Sequence, residues 1–294
     1  MLFLCSPRHL LGELLLIILL GSRLAAGQDV GGGQPTVTPA APADSSAQHG
    51  GFTAALSYGS NSSFFGRTQT TRYPYTTGEL TYKSRFGVWG SVVGYNLLNT
   101  SSFLDETDLS LGWDGDLSKK VDASVSYSRF LFAANSPLVK SSVNNSLDSY
   151  LGLDWGYVYS RLNAAYLFGD SNDFFLVLDN SRYFEIAKVF TPKGYLAIEP
   201  RVSVTAGTQH FAETSLDQQQ SRGFGRGRGK AAGTTTVTTT RLQVLNYELR
   251  VPVTYSLGVV SAQVAWRYAV PVNLLPGDVS GARSYFTTTL SLNL

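Results

Sequence analysis

The chain of 294 residues carries 23 basic and 21 acidic side chains, and its only cysteine is Cys5. This near-neutral balance gives no global electrostatic argument for binding nucleic acid, and one cysteine excludes a framework of disulfide bonds. No segment after residue 27 approaches the roughly 18 consecutive apolar residues of a membrane helix, so a membrane form of this chain requires a closed β-barrel.

The first 27 residues have the three regions of a secretory signal peptide. Arg8 precedes the apolar stretch Leu14–Leu20, and small residues at 25–27 offer a cleavage site before Gln28. An uncleaved anchor is the alternative, but the apolar stretch is short for a membrane helix. We therefore predict a signal peptide at 1–27 and an exported mature chain that contains no cysteine.

Residues 28–50 are rich in glycine, alanine and proline and carry too little apolar surface to fold, so they are predicted to form a flexible lead-in. From residue 51 to residue 294 the chain instead repeats stretches of alternating hydrophobicity, each followed by a turn or polar loop. The clearest copy alternates apolar with mostly polar residues: Val260, Ala262, Val264, Trp266 and Tyr268 against Ser261, Gln263, Ala265 and Arg267. Its length of about ten residues suits a strand that crosses a membrane.

The alternation predicts twelve strands in residues 51–294, and ten or fourteen are the neighbouring alternatives. They are 51–59, 75–84, 87–97, 106–114, 120–131, 147–156, 159–168, 173–186, 194–207, 241–255, 259–269 and 283–294. Pro200 and Pro252 lie inside two of these strands, where proline cannot donate to the ladder and a barrel has no free edge. We expect a β-bulge at each proline.

Short turns alternate with longer polar loops along this pattern, and the connection at 169–172 is the one short exception among the loops. Across residues 51–294 the architecture resembles the Gram-negative outer-membrane β-barrel proteins, although no short motif carries the resemblance. The resemblance implies contact with outer-membrane lipid and recognition by the barrel-assembly machinery. Barrels of this class often end in an aromatic residue, whereas this chain ends in Leu294.

We therefore predict an all-β fold: a single transmembrane, up-and-down antiparallel β-barrel of about 12 strands, in the outer membrane. A secreted soluble β-sandwich is the main alternative fold. Tyrosine and tryptophan concentrate at membrane–water boundaries. Four aromatic residues near the short turns are predicted to form an interfacial girdle: Trp89, Trp113, Trp155 and Tyr255.

Charged side chains should face the lumen, because Arg or Lys at mid-membrane on the lipid face costs roughly 2–4 kcal/mol. Three adjacent strands are predicted to carry a mixed-charge wall of Glu199, Arg201, Glu248, Arg250 and Arg267. Three earlier strands are predicted to present an opposing acidic face of Asp108, Asp122, Asp148 and Asp154. Such walls either bias the passage of small polar or charged solutes through a pore or pair into a network that closes a narrow lumen.

The predicted loop 208–240 contains a basic, glycine-rich stretch with Arg222, Arg226, Arg228 and Lys230. On an external loop these residues would contact lipopolysaccharide or other polyanions by charge, and a solvated loop is the alternative. An RNA partner is not expected for an exported chain.

The catalytic inventory is small, since the mature chain has only His49 in the lead-in and His210 in the long loop. A nucleophile–base pair or a metal site needs histidine near partners on rigid elements, and His210 lies in a predicted flexible segment beside Glu213 and Ser215. We therefore expect no enzyme, no metal and no cofactor. The leading function is porin-like passage of small solutes. A closed barrel with a structural or adhesive role comes second, and an outer-membrane hydrolase third.

Overall fold

The computed structural model describes residues 50–61, 63–67, 74–98, 100–133, 143–170, 172–210 and 241–294. The predicted signal peptide, nearly all of the lead-in and the basic stretch of the long loop lie outside these ranges. Within them, no helix is long and apolar enough to cross a membrane.

Fourteen strands form one antiparallel sheet. Their bounds are β1 Gly51–Gly59, β2 Tyr75–Lys83, β3 Val88–Leu97, β4 Glu106–Ser118, β5 Val121–Phe132, β6 Val143–Asp154, β7 Tyr159–Gly169, β8 Asp173–Ser181, β9 Phe184–Ala187, β10 Gly194–Ile198, β11 Arg201–Gly207, β12 Gln243–Leu257, β13 Val260–Pro271 and β14 Arg283–Asn293.

The sheet closes into a barrel because β1 pairs with both β2 and β14, and β11 pairs with both β8 and β12. β10 continues the line of β11 along β12, so the two share one position in the ring. β9 extends β8 and pairs with β10 alone among the described strands. The result is a closed ring of twelve strand positions, which confirms the predicted barrel and excludes the sandwich.

The structure shows no β-bulge at either proline, contrary to the prediction. Pro200 lies with Glu199 in the gap between β10 and β11, which splits the predicted strand 194–207. Pro252 lies inside β12, which keeps an unshifted register with β13 from Asn246 to Leu257. Both proline carbonyls still accept: the amide of Glu199 donates to Pro252 at 3.3 Å, and that of Arg182 to Pro200 at 3.2 Å. Each proline therefore removes one N–H donor from the hydrogen bonds between strands, while the pairing register of the strands stays the same.

The two faces of the sheet differ in polarity as the alternation predicts. Large apolar side chains on the outer face are widely exposed, with Leu56 at 67% and Leu111 at 63%. Their sequence neighbours Ser57 and Ser110 point inward and bond across strands to Thr289 and Ser128 at 2.9 and 2.8 Å. An apolar belt around a closed barrel with a polar interior is the arrangement that lipid requires.

The two ends of the barrel also differ. Short connections of two to six residues join strands at one end, which we call the turn end, and Gly51 and Asn293 also lie there. Longer connections are found at the opposite end, the loop end, apart from the short link 170–172. By the usual arrangement of outer-membrane barrels, the turn end corresponds to the periplasmic side.

Candidate functional site

The inner wall of β11, β12 and β13 carries a row of arginines. The register places Arg201 directly opposite Arg250, and Arg250 directly opposite Arg267. Neighbouring strands lie about 4.7–4.9 Å apart, so the three side chains start as immediate neighbours. Like charges directly opposite each other are destabilising unless other groups compensate them. We call these three residues the arginine row.

Two of the three arginines have carboxylate partners on the same wall. Arg267 donates from Nε and Nη2 to the two oxygens of Glu248 at 2.9 and 3.0 Å, and the hydroxyl of Tyr285 also donates to Glu248 at 3.2 Å. Arg201 donates to Glu199 at 2.9 Å. The structure thus brings together all five residues of the predicted mixed-charge wall, while their role in selectivity stays a prediction.

Sequence reasoning missed an extension of this wall onto β7 and β8. Arg161 and Asp179 form a buried ion pair at 3.3 Å. Asp179 also accepts hydrogen bonds from Ser203 at 2.5 Å and from Asn163 at 2.9 Å. Arg161 alternates with the outward Leu162, and the phase of the pattern was therefore the signal that could have found it.

The predicted acidic face is spread along the barrel. Asp108 is buried near the loop end, and Asp148, half-buried midway along β6, accepts from the Ser146 hydroxyl at 2.6 Å. Asp122 lies near the turn end, where the Tyr159 hydroxyl donates to it at 2.8 Å. Asp154 is exposed at the turn end, where it accepts a hydrogen bond from the amide of Gly156 at 2.7 Å.

The acidic strand β4 nevertheless lies across the lumen from β12. Counting positions around the ring, β4 is six places from β12 in either direction. Its inner face adds Glu106, which is buried beside Asp108 at the loop end. The inner face of β4 therefore carries an excess of negative charge opposite the arginine row, although these charged groups are not all at one height.

Three of the four residues of the predicted girdle lie near the turn end, and their contact with a membrane boundary stays a prediction. Trp113 donates its indole N–H to Phe86 at 3.0 Å, and Trp155 donates to Ser160 at 3.1 Å, both near the turn end. Tyr255 is there too, with its ring 5.6 Å from that of Phe190. Trp113 lies on the outer face of β4, Trp155 in a turn and Tyr255 on the outer face of β12.

Trp89 differs from the other three and corrects the girdle prediction. It shares the inner face of β3 with Ser91 and Val93, and its indole donates to Asp114 inside the barrel. Asp114 also pairs with Lys83, so this aromatic ring belongs to a polar cluster in the lumen.

A segment between β1 and β2 enters the loop end of the barrel. Phe64 and Arg67 exchange two backbone hydrogen bonds of 2.8 and 2.9 Å around Phe65 and Gly66. Both central residues have positive φ angles, 47° and 83°, as a type I′ turn requires. We call residues 60–67, of which the structure describes 60, 61 and 63–67, the mouth segment.

The apolar tip of the mouth segment packs against the far wall of the barrel. Phe65 stacks on Phe175 of β8 with ring centroids 3.8 Å apart, and Phe64 meets the same ring edge-on. The buried cluster around Phe64 also includes Leu167 of β7, whose strand lies six ring positions from β1 in either direction. The mouth segment therefore reaches across the barrel from one wall to the opposite one.

Two β-bulges complete this apolar cluster. The pairing of β11 with β12 shifts register at Leu245, and the pairing of β6 with β7 shifts beside Val143. Strict alternation from the exposed Tyr247 would put Leu245 on the outer face, yet both Leu245 and Val143 are fully buried against the tip. Each bulge thus re-aims an apolar side chain into the lumen.

Arg67 anchors the mouth segment and is only 2% exposed. It donates to Gln209 at 2.7 Å and to the carbonyls of Leu245, Val272 and Asn273 at 3.2, 2.9 and 3.1 Å. Its Nε lies 3.4 Å from a carboxylate oxygen of Asp278. Burial lowers the pKa of Arg67 from its ordinary value, and the nearby Asp278 opposes that shift.

The two remaining predicted features concern the long loop and metal binding. The basic residues Arg222, Arg226, Arg228 and Lys230 lie outside the described residues. His210 is placed at the start of this loop, where its Nδ1 lies 2.8 Å from the carbonyl of Asn172 and 3.3 Å from Asp173. Across the described ranges, no group of three or more histidine, cysteine, aspartate or glutamate residues is arranged to hold a metal ion.

The fold and the polar lumen define the class of the protein: a closed, up-and-down β-barrel of the outer-membrane type. No family model matches the sequence, and no curated protein matches it. Solved structures with a similar fold include a KdgM porin, with 7% identity, a TM-score of 0.46 and coverage of 82% of this chain and 98% of that chain.

Two further solved structures have a similar fold. LpxR from Salmonella typhimurium has 10% identity and a TM-score of 0.45, with coverage of 82% of this chain and 99% of that chain. An outer membrane channel from Pseudomonas putida F1 has 10% identity and a TM-score of 0.43, with coverage of 84% and 96%. At these identities the likeness concerns the fold alone.

Proposed function

We propose that this protein is an outer-membrane channel for the passive passage of small polar or charged solutes. The observation that carries the proposal is the distribution of charge across the lumen. The wall formed by β10–β13 holds Arg201, Arg250 and Arg267 against Glu199 and Glu248. This wall has one more basic than acidic group, and β4 on the opposite side contributes Glu106 and Asp108.

A transverse field of this kind acts on solutes inside a narrow, low-dielectric passage. A ring of twelve strand positions encloses less space than the 16–18 strands of general porins, so a passing solute must travel close to both walls. Charge on the walls then influences which ions pass and how fast. The outer apolar belt supports the proposal that lipid is the partner of the outer face.

A barrel whose lumen stays closed is the second candidate, and the mouth segment favours it. Phe64 and Arg67 are buried, Phe64 against the far wall and Arg67 in a hydrogen bond to the carbonyl of Val272 beside β13. A lumen held shut in this way would leave the protein to act through its loops. The two candidates therefore differ in one measurable property, which is conductance through the folded barrel.

Single-channel recording in planar bilayers tests the proposal directly. The full mature chain is folded in detergent, its folding is verified by heat-modifiable mobility on gels, and it is then inserted into the bilayer. We expect discrete conductance steps from the wild-type protein. If pure, folded protein gives no steps while the variant Arg67→Ala does, the mouth segment closes the lumen and the second candidate is correct. If neither protein conducts, the channel proposal fails.

A further inference from the structure

The central arginine of the arginine row lacks the partner that its two neighbours have. Arg250 donates from Nη2 to the amide oxygen of Gln263 at 3.2 Å, and Gln263 is held in turn by a hydrogen bond to Thr254 at 2.9 Å. The Nε of Arg250 is buried and has no hydrogen-bond partner among the described residues. An amide oxygen supplies no negative charge, so the Arg250 guanidinium is satisfied only in part.

The carboxylates closest to Arg250 along the chain and across the strands are already engaged. Both oxygens of Glu248 accept from Arg267, and one of them also accepts from Tyr285. Glu199 accepts from Arg201 at 2.9 Å. The excess positive charge of this wall therefore resides on Arg250, between two other guanidinium groups.

Such an arrangement costs free energy in the empty barrel and becomes favourable when an anion is present. Like charges on adjacent strands repel, and a buried charge without a counter-charge is expensive. A guanidinium presents a planar fork of N–H donors that matches the oxygens of a carboxylate or a phosphate. Arg250 lies midway along β12, at the height where a solute crossing the lumen would meet it.

We propose that Arg250, flanked by Arg201 and Arg267, is the centre of a binding site for one oxyanionic group, a carboxylate or a phosphate, on a small solute. The flanking arginines keep their glutamate partners and add a positive potential on both sides. This inference deepens the proposed channel function and rests on it, because the site is reached through the lumen.

Binding is tested in detergent on the folded protein without its predicted signal peptide. Inorganic phosphate and citrate are titrated against sodium chloride at constant ionic strength, and affinity is measured by calorimetry and by the shift of the thermal unfolding midpoint. We expect saturable binding of at least one probe to the wild-type protein. Arg250→Gln should lower the affinity by roughly tenfold or more, and Arg250→Lys should lower it less, since it keeps the charge but loses the fork.

The control variant is Arg129→Gln, whose arginine lies near the loop end on the outer face of β5 and donates to Asn145 at 2.8 Å. It should bind the probes as the wild type does. A second readout separates a binding residue from a structural one. In probe-free buffer Arg250→Gln should unfold at the wild-type temperature or higher, because it relieves the repulsion between Arg250 and the flanking Arg201 and Arg267. A lower unfolding midpoint together with unchanged probe affinity would overturn the proposal.

The site and the channel function fail in distinguishable ways. A wild-type protein that conducts in bilayers but binds neither probe saturably rejects the site and leaves the channel. A wild-type protein that binds a probe through Arg250 but never conducts rejects the channel and leaves an anion site inside a closed barrel. Equal affinity of the wild type and of Arg250→Gln rejects the assignment of the site to Arg250.

Discussion

Phe65 lies face to face on Phe175, with ring centroids 3.8 Å apart and planes 9° from parallel, and so joins the β1–β2 connection to the opposite wall of the barrel. Phe175 is fully buried and also receives the edge of Phe64. One aromatic side chain on β8 therefore holds both phenylalanines of the mouth segment. Aromatic pairs of this kind stabilise the folded protein by about 0.5–1.5 kcal/mol beyond the free energy gained from burying their surface area.

Replacing Phe175 with alanine should release the tip of the mouth segment. The change removes both ring contacts and leaves a cavity, and buried Phe→Ala changes typically cost about 3–5 kcal/mol of stability. We expect a lower thermal unfolding midpoint and larger conductance steps than in the wild type. Phe174→Ala is the matched control, because its neighbouring side chain points outward on the same strand. Equal effects of the two variants on conductance would contradict this role of Phe175.

Arg67→Ala should free the mouth segment more completely. The variant removes every hydrogen bond that the guanidinium makes and leaves the buried Asp278 without its cation. Breaking a buried ion pair from one side costs about 3–5 kcal/mol. We expect larger or noisier conductance steps, recorded in planar bilayers. The double variant Arg67→Ala with Asp278→Asn should regain stability while it keeps the altered conductance, since it removes the unpaired charge. Conductance equal to the wild type in both variants would show that the mouth segment does not limit passage.

Gly66 should be the residue of the mouth segment least tolerant of a side chain. Its φ angle is 83°, and a Cβ there would lie 2.7 Å from the Cβ of Asn246. Gly156 has a φ angle of 89° but nothing within 4 Å of such a Cβ, which makes it a matched control. Both alanine variants carry a backbone strain of about 1–2 kcal/mol. Only Gly66→Ala should also change the conductance, because only there does the new atom clash with the barrel wall.

The sequence alone predicts the barrel well because the alternation of apolar and polar residues is a direct consequence of lipid outside and polar groups inside. β1 matches its predicted bounds, Gly51–Gly59, and the placement of Arg201, Arg250 and Arg267 on the inner face follows from the same phase. Their neighbours across the strands follow once the register is known, and only the structure supplies that register.

The mouth segment could not be predicted in this way. Residues 60–74 read as a polar loop, since one turn of Phe65 and Gly66 has no periodicity that would indicate where it packs. Leu245 and Val143 depend on bulges, which reverse the phase locally and leave no mark in the sequence pattern. The inward Trp89 was assigned by its position near a turn, whereas the phase of β3 was the better guide.

Neutralising the arginine row should make the channel more selective for cations. Replacing Arg201, Arg250 and Arg267 by glutamine leaves Glu199 and Glu248 without their cationic partners, so the wall changes from net positive to negative. We expect the reversal potential measured in a salt gradient to shift toward the equilibrium potential of the cation. The effect should shrink as ionic strength rises, since salt screens charges in water. Unchanged selectivity at low salt would mean that the row does not line the conduction path.

A pair of adjacent substitutions on β4 tests the assignment of inside and outside. Leu111 is widely exposed on the outer face, and Ser110 points inward and bonds to Ser128 at 2.8 Å. Leu111→Arg would put a charge into the hydrocarbon near mid-strand, at a cost of about 2–4 kcal/mol, whereas Ser110→Arg would put it into the polar lumen. Both variants are refolded into lipid vesicles and their stability is measured by urea titration. We expect Leu111→Arg to be clearly the less stable of the two, because only its arginine must displace lipid. If Ser110→Arg is equally or more destabilised, the outer face of β4 does not contact lipid and the membrane assignment of the barrel is wrong.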